Sequence, residues 1–251
     1  MTFDPLKLTE SIAKIVVKGN LRRYYRLARG GKWYGGIATA DCSGCNLRCV
    51  FCWSGEPRDN PTIGQFYSPE EVFQALTTIA NKKGYKLLRV SGNEPTISRD
   101  HLLKLLELVE ISPFYFILET NGILIGADKN YAKEISKFKH VHVRVSLKGA
   151  TPEEFSMLTE ADSKAYELQL NALKNLIDYG VECHLAVMLS FSSDESKKKL
   201  IEKLLSIDKM LVREIEEEYV FLYPHVKKRL ERARINPILS YNPKTIPKEL
   251  I

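Results

Sequence analysis

Apolar positions recur along this chain in two rhythms that take turns. Residues 5–18 place Leu8, Ile12, Ile15 and Val16 on one helical face. Residues 21–28 read as a second short helix, stopped by Gly30-Gly31. Residues 33–40 read as a strand running straight into a cysteine-rich loop. From there strands and helices alternate. Apolar or alternating runs predict strands over residues 86–91, 115–120, 141–147 and 182–189. A last strand falls loosely within 211–222, with 220–222 as its better part. Ser68-Pro69-Glu70-Glu71 opens a helix running to about Lys83, with a cap serine, an early proline and early acids. Thr151-Pro152-Glu153-Glu154 opens another in the same style. Further helices are predicted over 101–111, 130–138, 164–179, 194–205 and 227–233, and an extended tail over 236–251.

Six strand-like segments alternating with helices define an α/β chain with a parallel sheet and right-handed crossovers. A doubly wound sheet and a partial or full (β/α) barrel share this pattern. There is no internal repeat and no linker long enough to divide the chain.

Composition narrows the class. The apolar fraction of 44% and charged fraction of 27% are those of an ordinary globular chain. No apolar run reaches the roughly 18 residues that span a bilayer, so no membrane partner is expected. The N-terminus lacks a basic region leading into an apolar one, which predicts no signal peptide and a cytoplasmic setting. The net charge of +6 is only mildly basic. Basic residues thicken over 18–32, with Tyr24 and Tyr25 between them, a pattern that single-stranded nucleic acid can use and that a solvated helix produces more often.

Candidate chemistry concentrates in D-C-S-G-C-N-L-R-C-V-F-C-W, residues 41–53. Only Cys183 lies outside this stretch. A reducing compartment favours metal ligation over disulfides for such clustered thiols. Structural zinc would want two cysteine knuckles a dozen or more residues apart, and here the pairs are three residues apart. Cys45, Cys49 and Cys52, spaced C-x3-C-x2-C, suit three corners of an iron–sulfur cube. The fourth iron then stays open to chemistry. Cys42 reads as a buried thiol near the strand end, and Cys183 as core.

This loop resembles the signature of the radical S-adenosylmethionine (SAM) superfamily, C-x3-C-x-Φ-C, with Phe51 as the aromatic Φ. The resemblance implies a [4Fe–4S] cluster on Cys45, Cys49 and Cys52. It also implies SAM on the open iron, cleaved by one electron to methionine and a 5′-deoxyadenosyl radical that abstracts hydrogen from a substrate. Three further elements resemble the superfamily in order. Ser91-Gly92-Asn93-Glu94-Pro95 is similar to its G-G-E-P element for the SAM amino group. Asn93 replaces the second glycine, a place where left-handed backbone geometry suits asparagine. Asn121, in Thr120-Asn121-Gly122, and Ser146 with Lys148, in Ser146-Leu147-Lys148, follow. Ser146 would meet the ribose or methionyl group and Lys148 the SAM carboxylate. Met188 and Ser190 fall where adenine would lie.

The resemblance implies a partial (β/α)6 TIM-type barrel. It would comprise an N-terminal helical extension over 1–34, a core over 35–223, and a C-terminal helix and tail over 224–251. It implies a flavodoxin- or ferredoxin-like electron donor. The compact chain and S-x-K element are most similar to activating enzymes, whose substrate is a protein. RNA-modifying members are the alternative, served by basic clusters at 197–199 and 227–229. A non-catalytic iron–sulfur or zinc module is the remaining reading.

Overall fold

The computed structural model describes residues 2–247. The strands are β1 (Val17–Lys18), β2 (Leu21–Gly31), β3 (Ile37–Cys42), β4 (Gln65–Tyr67), β5 (Leu87–Gly92), β6 (Tyr115–Thr120), β7 (Val141–Leu147), β8 (Cys183–Met188), β9 (Glu216–Glu218), β10 (Val220–Phe221) and β11 (Ser240–Tyr241). The helices are α1 (Pro5–Val16), α2 (Gly55–Asp59), α3 (Pro69–Lys83), α4 (Arg99–Glu110), α5 (Ile123–Ala127), α6 (Lys129–Ile135), α7 (Pro152–Thr159), α8 (Tyr166–Asp178), α9 (Asp194–Ile207), α10 (Met210–Arg213) and α11 (Pro224–Ala233).

Strands β3, β5, β6, β7, β8 and β9 pair in that order, all parallel, with helices covering the outer face. This is the expected partial (β/α)6 barrel. Among the described residues no pairing joins β9 back to the first strands, so one side stays open. Residues such as Leu88, Phe116, Leu118, Val143, Val145 and Leu185 face the helices and carry the core. Their alternation with polar residues turned to the lumen is what a curved sheet requires.

Three expectations need correction. Residues 21–28 are not helical. They form most of β2, antiparallel to β3 and β4, with Arg22 and Tyr24 buried and their neighbours less so. Arg-Arg-Tyr-Tyr-Arg has no strong intrinsic preference, and the partner strands decide. The first barrel strand begins at Ile37, because residues 33–35 form a single 3-10 turn. The sixth barrel strand is Glu216–Glu218, whereas Val220–Phe221 pairs with Ser240–Tyr241. A run of glutamates carries no strand signal; here their inward carboxylates are met by Arg144. In the tail, residues 248–251 lie outside the described residues.

Helix α1 starts at Asp4, whose carboxylate accepts from Leu6 N–H at 2.8 Å, with Pro5 in the first turn. Its Ile12 and Val16 pack on Gly44 of the cysteine loop. A Cβ at Gly44 would stand 2.8 Å from Ile12 and 2.9 Å from Val16, and φ there is +83°. Glycine is needed on both counts.

His101 of α4 joins this helix to β2. Its Nδ1 donates to Asn20 O and its Nε2 accepts from the Tyr24 hydroxyl, both at 2.9 Å. Burial pushes the imidazole down to about 4. A base depressed below its unfolded value of about 6.5 contributes full stability above that pH and loses it as pH falls towards 4. Urea unfolding should therefore show a loss of stability between pH 6.5 and 4 that His101→Gln abolishes.

Candidate cofactor site at the strand ends

The carboxyl ends of the six barrel strands and the loops after them enclose one cavity of about 610 Å³. Cys45, Cys49, Cys52, Phe51, Gly92, Asn93, Glu94, Asn121, Ser146 and Lys148 all line it. Residues spread over a hundred positions of sequence thus meet in one cavity. Met188 lines it too. Ser190 does not. It is fully buried, and its hydroxyl accepts from Val220 N–H at 2.7 Å, so it holds β10 in place. Cys42 ends β3, fully buried and away from the cavity wall. Cys183 is only half-buried, at the start of β8.

The cysteine loop is held by main-chain contacts from several elements. Arg48 N–H donates to Thr159 O at 3.1 Å and Val50 N–H to Leu158 O at 2.9 Å. Besides Arg48 within the loop, two arginines outside it reach its carbonyls: Arg58 bonds Cys49 O, and Arg229 of α11 bonds Val50 O at 3.2 Å as well as Cys52 O. His225 of the same helix meets Trp53 O at 2.8 Å. Gly55 leaves room for the Arg229 guanidinium, which a Cβ there would overlap. Sequence reading set α11 apart from the core. Its contact with the loop is long-range, and no local motif signals it.

Burial pushes the Cys49 thiol up to about 11, opposed by the nearby Lys148 charge. It pushes Cys45 higher still, with Glu94, Cys49 and Cys52 adding to the effect. Cys45, Cys49 and Cys52 bring three soft sulfur donors to one cavity, and the charge of a polynuclear cation would stabilise them as thiolates. The donor set therefore fits an iron–sulfur cluster.

The motif after β5 works differently from expectation at one point. Gly92 has the left-handed backbone, φ +87°, and a Cβ would stand 2.9 Å from Asp41 Cβ and 3.0 Å from Cys42 O. Asn93 is not left-handed. Its Oδ1 accepts from Gly44 N–H at 2.9 Å and its Nδ2 donates to Ser54 O at 3.1 Å. Asparagine thus stitches both ends of the cysteine loop to the strand end, a task glycine cannot perform. Glu94 is buried, and its carboxylate accepts from Thr96 N–H and hydroxyl, the Thr120 hydroxyl and Asn121 N–H at 2.6–3.2 Å. The Asn121 amide donates to Asn46 Oδ1 at 2.7 Å.

Ser146 and Lys148 sit together after β7. Lys148 Nζ donates to the Ser146 hydroxyl, which donates to Glu218. Below them runs a charged floor absent from the sequence reading. Arg89 bonds Thr39 and Glu119, Tyr34 and Ser91 donate to Glu119, and Arg144 forks to Glu216 and Glu218 at 2.6 and 2.8 Å. His184 meets Glu216 at 3.0 Å and His142 at 2.6 Å. Burial alone would raise these carboxyls. Arg144 and His184 instead hold Glu216 down at about 2, and Arg144 with Lys148 holds Glu218 below the usual range. All three acids are therefore ionised at neutral pH, because Arg89 and Arg144 also lower Glu119.

An open parallel barrel with a three-thiol loop after its first strand defines a class: barrel enzymes that carry an iron–sulfur cofactor at the strand ends. The family model for the radical SAM superfamily matches residues 41–204, and the chain belongs to that superfamily. It is an enzyme of radical SAM type, with a [4Fe–4S] cluster and SAM as its cofactors.

GTP 3′,8-cyclase of Syntrophomonas wolfei subsp. wolfei is 31% identical over 154 residues, 60% of this chain and 46% of that protein. The chain spans about half the length of the curated relatives it matches. Among solved structures, anSMEcpe with bound AdoMet and Cp18Cys peptide aligns with TM-score 0.55 and 21% identity, over 74% of this chain and 50% of that one. TYW1 with a lysine-pyruvate adduct aligns with TM-score 0.51 and 15% identity, over 78% and 72%. These structural likenesses establish the fold. Among the described residues no helix is long and apolar enough to cross a membrane.

Proposed function

We propose that this chain binds a [4Fe–4S] cluster through Cys45, Cys49 and Cys52 and uses SAM to abstract hydrogen from a substrate seated in the barrel lumen. The observation that carries this reading is the convergence of the three thiols with Gly92, Glu94, Asn121, Ser146 and Lys148 on one cavity. When bound, the cluster supplies the electron that cleaves SAM to methionine and a 5′-deoxyadenosyl radical. The rest falls to the chain. Gly92 lets backbone carbonyls approach the SAM ammonium, with the Glu94 carboxylate below them favouring its charge. Lys148 pairs with the SAM carboxylate and Ser146 with the ribose or methionyl oxygens. Phe51, packed on Phe191 at 6.0 Å, closes the loop and helps to exclude water.

Lys148→Ala should weaken SAM binding by about 10–100-fold, the worth of one charge-assisted pair in a partly dry site. Equilibrium dialysis of the reconstituted protein checks it. Unchanged affinity would remove Lys148 from the site. Arg229→Gln and Gly55→Ala should both loosen the loop and lower iron affinity by about 10–100-fold, as loss of support around metal ligands does. Iron retention against a chelator, read by absorbance, measures this.

For the substrate, a protein segment is the first reading. The open barrel side admits a chain, and anSMEcpe, of the same fold, was solved with a peptide. A nucleotide is the second, favoured by the similarity to GTP 3′,8-cyclase. RNA bound along the basic segment 18–32 has lost support: Arg22 and Tyr24 are buried, and Arg26 and Arg29 turn to the cavity. Reconstitution without oxygen, followed by dithionite, SAM and each candidate substrate, tests the reading. Deuterium transfer from substrate to 5′-deoxyadenosine identifies the donor. An intact cluster that yields no 5′-deoxyadenosine would overturn it.

A further inference from the structure

Arg26 and Arg29 stand three residues apart on β2. In a regular strand they would point to opposite faces. Instead the pairing of β2 with β3 slips twice, between Tyr24 and Arg26 and between Arg26 and Arg29. Ala28, inside the second slip, takes the left-handed φ of +61°. That conformation costs a side-chain-bearing residue about 1–2 kcal/mol. Bulges of this kind re-aim side chains beside active sites.

The result is that both arginines reach one carboxylate. Arg26 Nε and Arg29 Nε donate to Asp41 Oδ2 at 2.6 and 2.8 Å, and Arg29 Nη2 to Oδ1 at 3.2 Å. Asp41 is fully buried, and among the described residues no other carboxylate pairs with either arginine. Two guanidinium groups share one negative charge, so one positive charge is left over. Both arginines line the cavity. Both terminal nitrogens of Arg26 and Nη1 of Arg29 have no hydrogen-bond partner among the described residues. The other cavity arginines, Arg89 and Arg144, are matched by acids.

We propose that Arg26 and Arg29 form an anion subsite that holds a carboxylate or phosphate group of the substrate. This rests on the radical SAM reading of the same cavity. Asp41 fixes each guanidinium by its inner edge and leaves the outer edges pre-arranged, which suits a planar or tetrahedral oxyanion. The subsite lines the same cavity as Glu216–Glu218, on the strand next to the first barrel strand.

Arginine labelling by phenylglyoxal, mapped by mass spectrometry on the reconstituted enzyme with SAM bound, tests this. Pyrophosphate and malonate are the probes, at matched ionic strength, with exposed Arg232 and Arg234 as references. An anion at about five times its dissociation constant should slow labelling of Arg26 and Arg29 about sixfold by mass action and leave the references unchanged. Protection by pyrophosphate alone points to a phosphate-bearing substrate, by malonate alone to a carboxylate-bearing one, and by both to recognition by charge. Arg29→Gln should abolish protection of Arg26. No protection beyond that of the references overturns the proposal. So does loss of labelling on adding SAM or methionine alone, which would assign the arginines to the cofactor. Formation of 5′-deoxyadenosine by the same preparation is scored separately. Its absence would remove the radical reading and leave the labelling to decide the anion subsite.

Discussion

Cys45→Ala, Cys49→Ala and Cys52→Ala should each strip the protein of its cluster and lower 5′-deoxyadenosine formation more than about 100-fold, beyond what loss of a supporting contact costs. Cys42→Ala should retain iron. The contrast is the point of the experiment, because all four thiols lie within eleven residues of one another. Cys42 is the last residue of β3, fully buried and off the cavity wall. Its thiol, pushed up to about 11 chiefly by burial, is kept neutral, so it behaves as a small apolar side chain. Its loss should cost only about 1–2 kcal/mol of stability. Iron and sulfide analysis with the charge-transfer absorbance separates the outcomes. An alanine variant at Cys45 that keeps a full cluster would sink the ligand assignment, and loss of iron in the Cys42 variant would make Cys42 a fourth ligand.

Arg144→Met should be the most damaging change away from the cysteines. It leaves Glu216 and Glu218, side by side on β9, without the guanidinium they share. Breaking a buried pair costs about 3–5 kcal/mol, and partial solvent access to both acids trims this to about 2–3. For a chain of this length the melting midpoint should fall by roughly 5–10 °C. The pH dependence gives a second readout. A carboxyl held low in the folded state stabilises it fully above the unfolded value of about 4.3. That stability is lost as pH falls towards the folded value, about 2 for Glu216. The variant lacks the stabilisation, so its deficit should be largest near pH 6 and shrink below pH 4. A deficit independent of pH would assign Arg144 a packing role instead.

The two sets of residues were not equally legible. The cofactor wall could be read because each part is a local motif. C-x3-C-x2-C needs one loop, and Gly92, Asn121 and Lys148 each follow a recognisable apolar strand. Even there one residue differs from its motif: the sequence suggests Asn93 as a backbone substitute for glycine, whereas its amide ties down the cysteine loop. The charged floor was invisible. Arg89, Glu119 and Arg144 are isolated polar residues in strands, Glu216 belongs to a run of glutamates, and the partners lie 30 to 72 positions apart. Residues 21–28 hide their strand for a related reason. Their alternation is broken by two bulges, so neither helical nor strand period fits well.

What the sequence determined by itself is the class of chemistry and the frame that carries it. Thiol spacing selects the cofactor, and the alternation of apolar strands with capped helices selects a parallel barrel. Both depend on interactions among near neighbours. The tertiary structure alone decided which side chains share the lumen. Pairing of β7 with β8 and of β8 with β9 sets distant strands in register, so Arg144 finds Glu216, α11 reaches the cysteine loop, and a bulged β2 turns two arginines on Asp41. Pairings of this kind depend on which strands become neighbours, and no local pattern in a single chain encodes that.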